Sequence, residues 1–280
     1  MRTLAGVASF ILAATLAANG QMFAQPSAQS SALAQKGSLV SSVPADVVKQ
    51  LTPTGTLRAA INLGNPVLAQ GTADAPRGIT VDLARELAKR LGAQLTLVPF
   101  PSAGKVFEAL KAETWDVAFL AVEPVRAAEI TFTAPYVLIE GVYMVRKDSP
   151  LQSVGDVDAQ GVRISVRPGS AYDLFLTRTL KAATLMRSDD HIASFVNDKL
   201  EAAAGVRQPM VGYANAHPDV RVVDGRFMEI QQAMGTPQGR PAAAAYLKTF
   251  VEEMKASGFV ADALKRSNQP DAAVALSAGG

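Results

Sequence analysis

Arg126 stands in the run Ala121-Val-Glu-Pro-Val-Arg126, three residues after Glu123 and three before Glu129. A guanidinium offers a planar pair of donors that matches a carboxylate two-to-two, and it stays charged at any working pH. Arg126 therefore meets either a neighbouring glutamate or an acid from outside the chain. Gly169-Ser170-Ala171 follows an apolar strand-like run and opens a helix-like one. Free backbone N–H groups and the helix dipole favour an anion at such a place, and the Ser170 hydroxyl adds a donor. An ordinary helix cap is the plainer reading. Asn62, Leu63, Gly64 and Asn65 follow another apolar run, and in open α/β sheets the ligand crevice lies beyond the carboxyl ends of the strands. There Asn62 or Asn65 either binds a ligand or closes an Asx turn. Tyr136, after Ala134-Pro135, either walls a pocket or packs in the core. Gln231 and Gln232 are adjacent in an extended segment, so one must face away from the other.

Standard nucleophile and zinc chemistries find no support. The chain carries no Gly-x-Ser-x-Gly elbow, no His-Glu-x-x-His and no cysteine, and its two histidines, His191 and His217, read as solvated residues. We expect no enzyme, no metal and no cofactor. Lys and Arg total 27 against 25 Asp and Glu, without a dense basic run, which gives no reason to invoke nucleic acid.

These residues need elements to hold them. Apolar runs at 57–62, 94–100, 115–121 and 162–166 read as strands, and 131–136 leads into a longer apolar run at 137–146. Between them, Gly78-Ile-Thr-Val-Asp82 leads into a helix with Val81, Ala84, Leu87, Ala88 and Leu91 on one face, closed by Gly92. Further helices are expected at 105–112, 171–181 and 193–200. A short strand follows at 221–223 and an apolar return segment at 227–234. Pro241 opens a last helix, striped by Leu247, Phe250, Val251 and Met254 and ending at Gly258. Alternating strands and helices imply an α/β sheet. The first residues have the layout of a secretory signal: Arg2, an apolar stretch through Ala18, then small residues, with cleavage after Gly20 or Ala24. Residues 25–42, rich in Gln, Ser and Ala, read as a flexible leader. The absence of cysteine excludes a lipoprotein anchor and disulfides.

Four stretches together resemble the polar amino acid family of bacterial extracellular solute-binding proteins, the capture subunits of ABC importers. They are Gly78-Ile-Thr-Val-Asp-Leu-Ala with Leu91-Gly92, Trp115-Asp116-Val-Ala, Arg126 followed by Ile130-Thr-Phe-Thr-Ala-Pro-Tyr136, and the Gly169-Ser170 turn. The resemblance runs from about residue 57 to 264. It implies a two-lobed α/β fold of the periplasmic binding protein type II kind, with two hinge strands and the ligand in the interlobe cleft. Lobe one is then 43–141 plus 228–280 and lobe two 147–222, with hinges near 142–146 and 223–227. It further implies a monomeric periplasmic protein that captures an amino acid or related small carboxylate and delivers it to an ABC permease. Dehydratases that resemble this family make an enzyme on the same scaffold the alternative.

The resemblance makes Arg126 the ligand's carboxylate clamp. It also exposes departures. Glu123 replaces a threonine usual in the family, and Glu201-Ala-Ala-Ala-Gly-Val206-Arg207 lacks the second of two acids, with a cation beside its place. Either Glu123 takes a ligand ammonium, or Arg207 meets a second carboxylate.

Overall fold

The computed structural model describes residues 43–269 and 271–278, so the expected signal segment and leader lie outside the described residues. The chain enters through a short helix α1 (Ala45–Leu51) and strand β1 (Thr56–Asn62), in which Leu57, Ala59, Ala60 and Ile61 are buried. A two-residue ribbon, β2 (Gln70–Gly71) and β3 (Pro76–Arg77), leads to α2 (Ile79–Leu91). The expected face of α2 is buried, and Gly92 ends the helix in the left-handed conformation at φ 62°, its N–H bonded to the Ala88 and Lys89 carbonyls. Glycine takes this geometry without a Cβ penalty.

Strand β4 (Gln94–Phe100) lies parallel to β1, with Thr56 opposite Gln94 and Asn62 opposite Phe100. Helix α3 (Ala103–Glu108) starts on Ser102, whose hydroxyl accepts the Lys105 N–H. Its last turn tightens into a 3₁₀ turn through Ala112. Strand β5 (Val117–Ala121) is wholly buried, and the single turn of α4 (Pro124–Ala127) follows it. The strand expected from Trp115 begins two residues later because Trp115 and Asp116 serve other purposes. Trp115 is buried and donates from Nε1 to the Val106 carbonyl at 3.0 Å. Asp116, fully buried, accepts from Arg58 Nε and a second Arg58 nitrogen at 2.9 Å each, and from Arg240 at 3.0 Å.

The 17-residue strand β6 (Ile130–Arg146) carries the chain into the second lobe. There β7 (Arg163–Val166), α5 (Ala171–Thr179), β8 (Thr184–Arg187), α6 (His191–Asn197), β9 (Ala202–Val206), α7 (Arg207–Ala216) and β10 (Val220–Val222) follow. Strand β11 (Met228–Pro237) returns to the first lobe, completed by α8 (Pro241–Ala256), α9 (Phe259–Arg266) and β12 (Ala273–Val274).

The main sheet runs β4-β1-β5-β11-β6-β9-β7-β8, with β10 and β12 also on β6. Strand β6 pairs with β11 from Ile130 to Gly141 and with β9 from Gly141 to Val145. One continuous strand thus serves both lobes and changes partner at Gly141. The second lobe repeats a device of the first: Arg163, opening β7, holds Glu201 just before β9 through two side-chain bonds of 2.9 Å, as Arg58 of β1 holds Asp116 just before β5. In each lobe an arginine fork locks the edges of two neighbouring strands. Helix α8 packs on β6, β11 and α1 with the expected stripe buried.

Candidate functional site: the cleft between the lobes

The strand ends of both lobes converge on one cavity. Asn62 ends β1, and Asn62, Gly64 and Asn65 line the cavity from the first lobe together with Ser102, Arg126 and Gln232. Arg167, Ser170 and Tyr172, just beyond the end of β7, line it from the second, and Val206 closes the wall at the end of β9. The cavity holds about 40 Å³, well under the ~150 Å³ that admits a benzene. The lobes stand nearly shut, and a metabolite can enter only if they part.

Arg126 is entirely buried on α4. One terminal nitrogen donates to the Ala121 carbonyl at 3.1 Å and the other crosses the cleft to the Gly169 carbonyl at 2.7 Å. Its Nε has no partner. Burial pushes its pKa down to about 10, against the opposing pull of Glu123, so the charge persists at neutral pH. Its present acceptors are neutral carbonyls, which a carboxylate can replace with charge-assisted bonds.

Glu123 does not reach the cavity. Its carboxylate, 3% exposed, is held by Arg178 of α5, and Arg178 also lies over the Phe175 ring. That pair, like the Arg126–Gly169 bond, spans the cleft. Gly169 has φ 65°, and a Cβ there would stand 2.8 Å from the Gly104 Cα. The two lobes therefore meet backbone to backbone at Gly104 and Gly169.

The Gly169-Ser170 turn is both a cap and a wall. Gly169 N–H donates to Asp173 Oδ2 at 2.8 Å, and Ser170 Oγ accepts the Asp173 N–H at 3.1 Å. Of the first-turn donors of α5, those of Ala171 and Tyr172 stay free of these caps at the cavity. Asn62 and Asn65 both form Asx turns, accepting the N–H of Gly64 at 3.0 Å and of Val67 at 3.2 Å. Each uses only its carbonyl oxygen there, leaving its amide nitrogen as a donor.

Other expected residues lie elsewhere. Gln232 is buried in the cavity wall, whereas Gln231 is exposed and contributes only its backbone carbonyl, to Val122 N–H; strand alternation decided between them. Tyr136 is a core residue, fully buried, edge-on to Phe119 at 6.2 Å, with its hydroxyl unpartnered. Arg207 turns away from the cavity to bind Glu140 and the Gly225 carbonyl, in a separate groove that also contains Arg226 and Asp271. Glu140 is held below the usual carboxylate range, first by Arg226 and then by Arg207.

His191 corrects the expectation of a solvated side chain. It is buried at the start of α6 with Nε2 3.5 Å from the Tyr172 hydroxyl. Burial, and then the charge of Arg167, push its pKa down to about 4. His217 is exposed and stacks on Tyr213. Ser102, Tyr172 and Arg167 went unmarked in the sequence. Arg167 directly follows a buried strand, so the rule that singled out Asn62 at the end of β1 applied to it equally.

This geometry agrees with what the chain is similar to. The family described as bacterial extracellular solute-binding proteins, family 3, matches residues 57–267. The chain belongs to that family. Its members are extracellular solute-binding proteins, and none of the described helices is long and apolar enough to cross a membrane. The cyclohexadienyl dehydratase of Pseudomonas aeruginosa is 28% identical over 123 residues, which are 42% of this chain and 45% of that enzyme. The chain thus matches about half the length of that relative. Among solved structures, a mutant of ArgBP from T. maritima superposes with a TM-score of 0.68 at 19% identity, over 79% of this chain and 99% of that one. The solute receptor for L-cysteine of Neisseria gonorrhoeae gives 0.69 at 20%, over 80% and 94%. The ancestral amino acid-binding protein AncCDT-1, a precursor of cyclohexadienyl dehydratase, gives 0.65 at 21%, over 78% and 98%. These likenesses establish the two-lobed fold.

Proposed function

We propose that this family member is a periplasmic capture protein that closes its two lobes on a small carboxylate-bearing solute, an amino acid or a related acid, and presents it to an ABC permease. The observation that carries this reading is Arg126: a buried guanidinium with a free Nε, lining the interlobe cavity and opposed by two neutral carbonyls. The amide nitrogens of Asn62 and Asn65, Gln232, and the α5 start at Ser170 supply further donors. In this reading the lobes comprise 43–141 with 228–280 and 147–222. They move about 142–146, just past the point where β6 changes partner, and about 223–227. The chain works as a monomer that needs neither cofactor nor nucleic acid, reaching the periplasm through its N-terminal signal.

Thermal melts across a panel of amino acids and organic acids test the proposal. A ligand at a hundred times its Kd contributes about 2.7 kcal/mol, which raises the melting temperature of a chain this size by roughly 5–10 °C. No shift with any member of the panel contradicts it.

The dehydratase relative favours a second reading, acid–base catalysis in the same cleft. Glu123 is occupied by Arg178, and no carboxylate lines the cavity, so that reading would have to draw its acid and base from groups other than a carboxylate. Turnover of a cyclohexadienyl acid by the purified protein decides for it, and absence of turnover decides against it.

A further inference from the structure

We propose that the solute is a dianion without an ammonium group, gripped by Arg126 from the first lobe and by Arg167 from the second. This rests on the reading of the cleft as a carboxylate-binding site and narrows its ligand class.

The charges that line the cavity do not balance. Two arginines line the cavity and no acid does. Both have an unpartnered buried Nε. Arg167 follows β7 and reaches across the cleft, with one terminal nitrogen 2.9 Å from where a Cβ on Gly64 would stand. Its charge is felt by both Tyr172 and His191, and neither of these neutralises it.

Three carboxylates near the cleft are already committed. Glu123 binds Arg178, Asp173 binds Arg187 and the Gly169 N–H, and Glu140 binds Arg207 and Arg226 in the other groove. At the end of β9 the wall is Val206. Two cations brought together in a closing, drying cavity need two negative charges to offset their desolvation. A neutral amino acid would supply one of these and an acidic amino acid two, but either would add a third cation. The donors left in the wall, from Asn62, Asn65 and the first turn of α5, likewise suit acceptors on the ligand.

Matched pairs that differ only in the ammonium group give the test. Calorimetric titration of the full chain with succinate, glutarate and adipate, each against L-aspartate, L-glutamate and L-2-aminoadipate, should give at least one diacid that binds at least about tenfold tighter than its amino partner. Arg167→Ala, at a half-buried position, should weaken that diacid about 10- to 100-fold and leave butyrate within about threefold. Tighter binding of the amino partner in every pair that binds, or a diacid affinity indifferent to Arg167→Ala, overturns the dianion while leaving a carboxylate-binding cleft. If no acid or amino acid of the panel binds, the carboxylate cleft itself is rejected and the dianion falls with it.

Discussion

Burial lowers the pKa of two side chains in and beside the cleft, Arg126 and His191. Arg126 keeps its charge without a counter-charge in hydrogen-bond reach, which leaves a carboxylate a strong electrostatic reason to enter. His191 answers the same burial in the opposite way, by remaining neutral down to about pH 4. The unfolded chain takes up that proton near pH 6.5 and the folded chain only near 4, so between these limits the unfolded state binds more protons and stability falls as pH falls. The loss amounts to at most about 3 kcal/mol. Melting temperatures measured from pH 7 to pH 4 should decline over this window, and His191→Gln should flatten the decline. An equal slope in both proteins would show that His191 does not set it.

Among elements, the arginine forks matter most because each ties strands whose ends form the cleft. Asp116 accepts from Arg58 of β1 and from Arg240 at the start of α8, with no exposure to solvent. Its removal leaves two guanidiniums uncompensated, and Asp116→Ala should cost about 3–5 kcal/mol, read as an earlier midpoint in urea unfolding. Glu201→Ala, whose partner Arg163 is 42% exposed, should cost far less, at most about 1 kcal/mol.

The same elements show what sequence can and cannot convey. Helix α2 and the stripe of α8 were legible because helical spacing of apolar residues reports burial directly. The helix at Arg207–Ala216 was not: Pro209 and Gly212 interrupt its pattern, and only Met210 is buried. Strand β8 is only four residues long and lies at an exposed edge, with Leu185 alone partly buried. At the site, Arg126 and the Gly169-Ser170 turn carry local signatures. The commitment of Glu123 to Arg178 and the arrival of Arg167 against Gly64 depend on closure of two lobes, which no local pattern encodes.

For the whole molecule, the proposed capture makes closure the functional event. The lobes meet where Gly104 and Gly169 leave no room for a side chain, and the Arg126–Gly169 and Glu123–Arg178 bonds cross the same gap. A β-branched residue at 104 should hold the lobes apart without touching either core. Gly104→Val should raise the radius of gyration in small-angle scattering and weaken solute binding by about tenfold or more, since the competent closed state becomes the minor one. Unchanged scattering and affinity would mean that this contact does not gate closure.

The claim on which everything else depends is that a carboxylate enters against Arg126. Calorimetric titration of wild type and Arg126→Met, with the acid that most stabilises the wild type, tests it directly, since methionine keeps apolar bulk at that place and removes the charge. One solute per wild-type chain and an affinity at least about a hundredfold lower in a variant that still melts cooperatively is the expected result. Equal affinity in the two proteins would contradict the account.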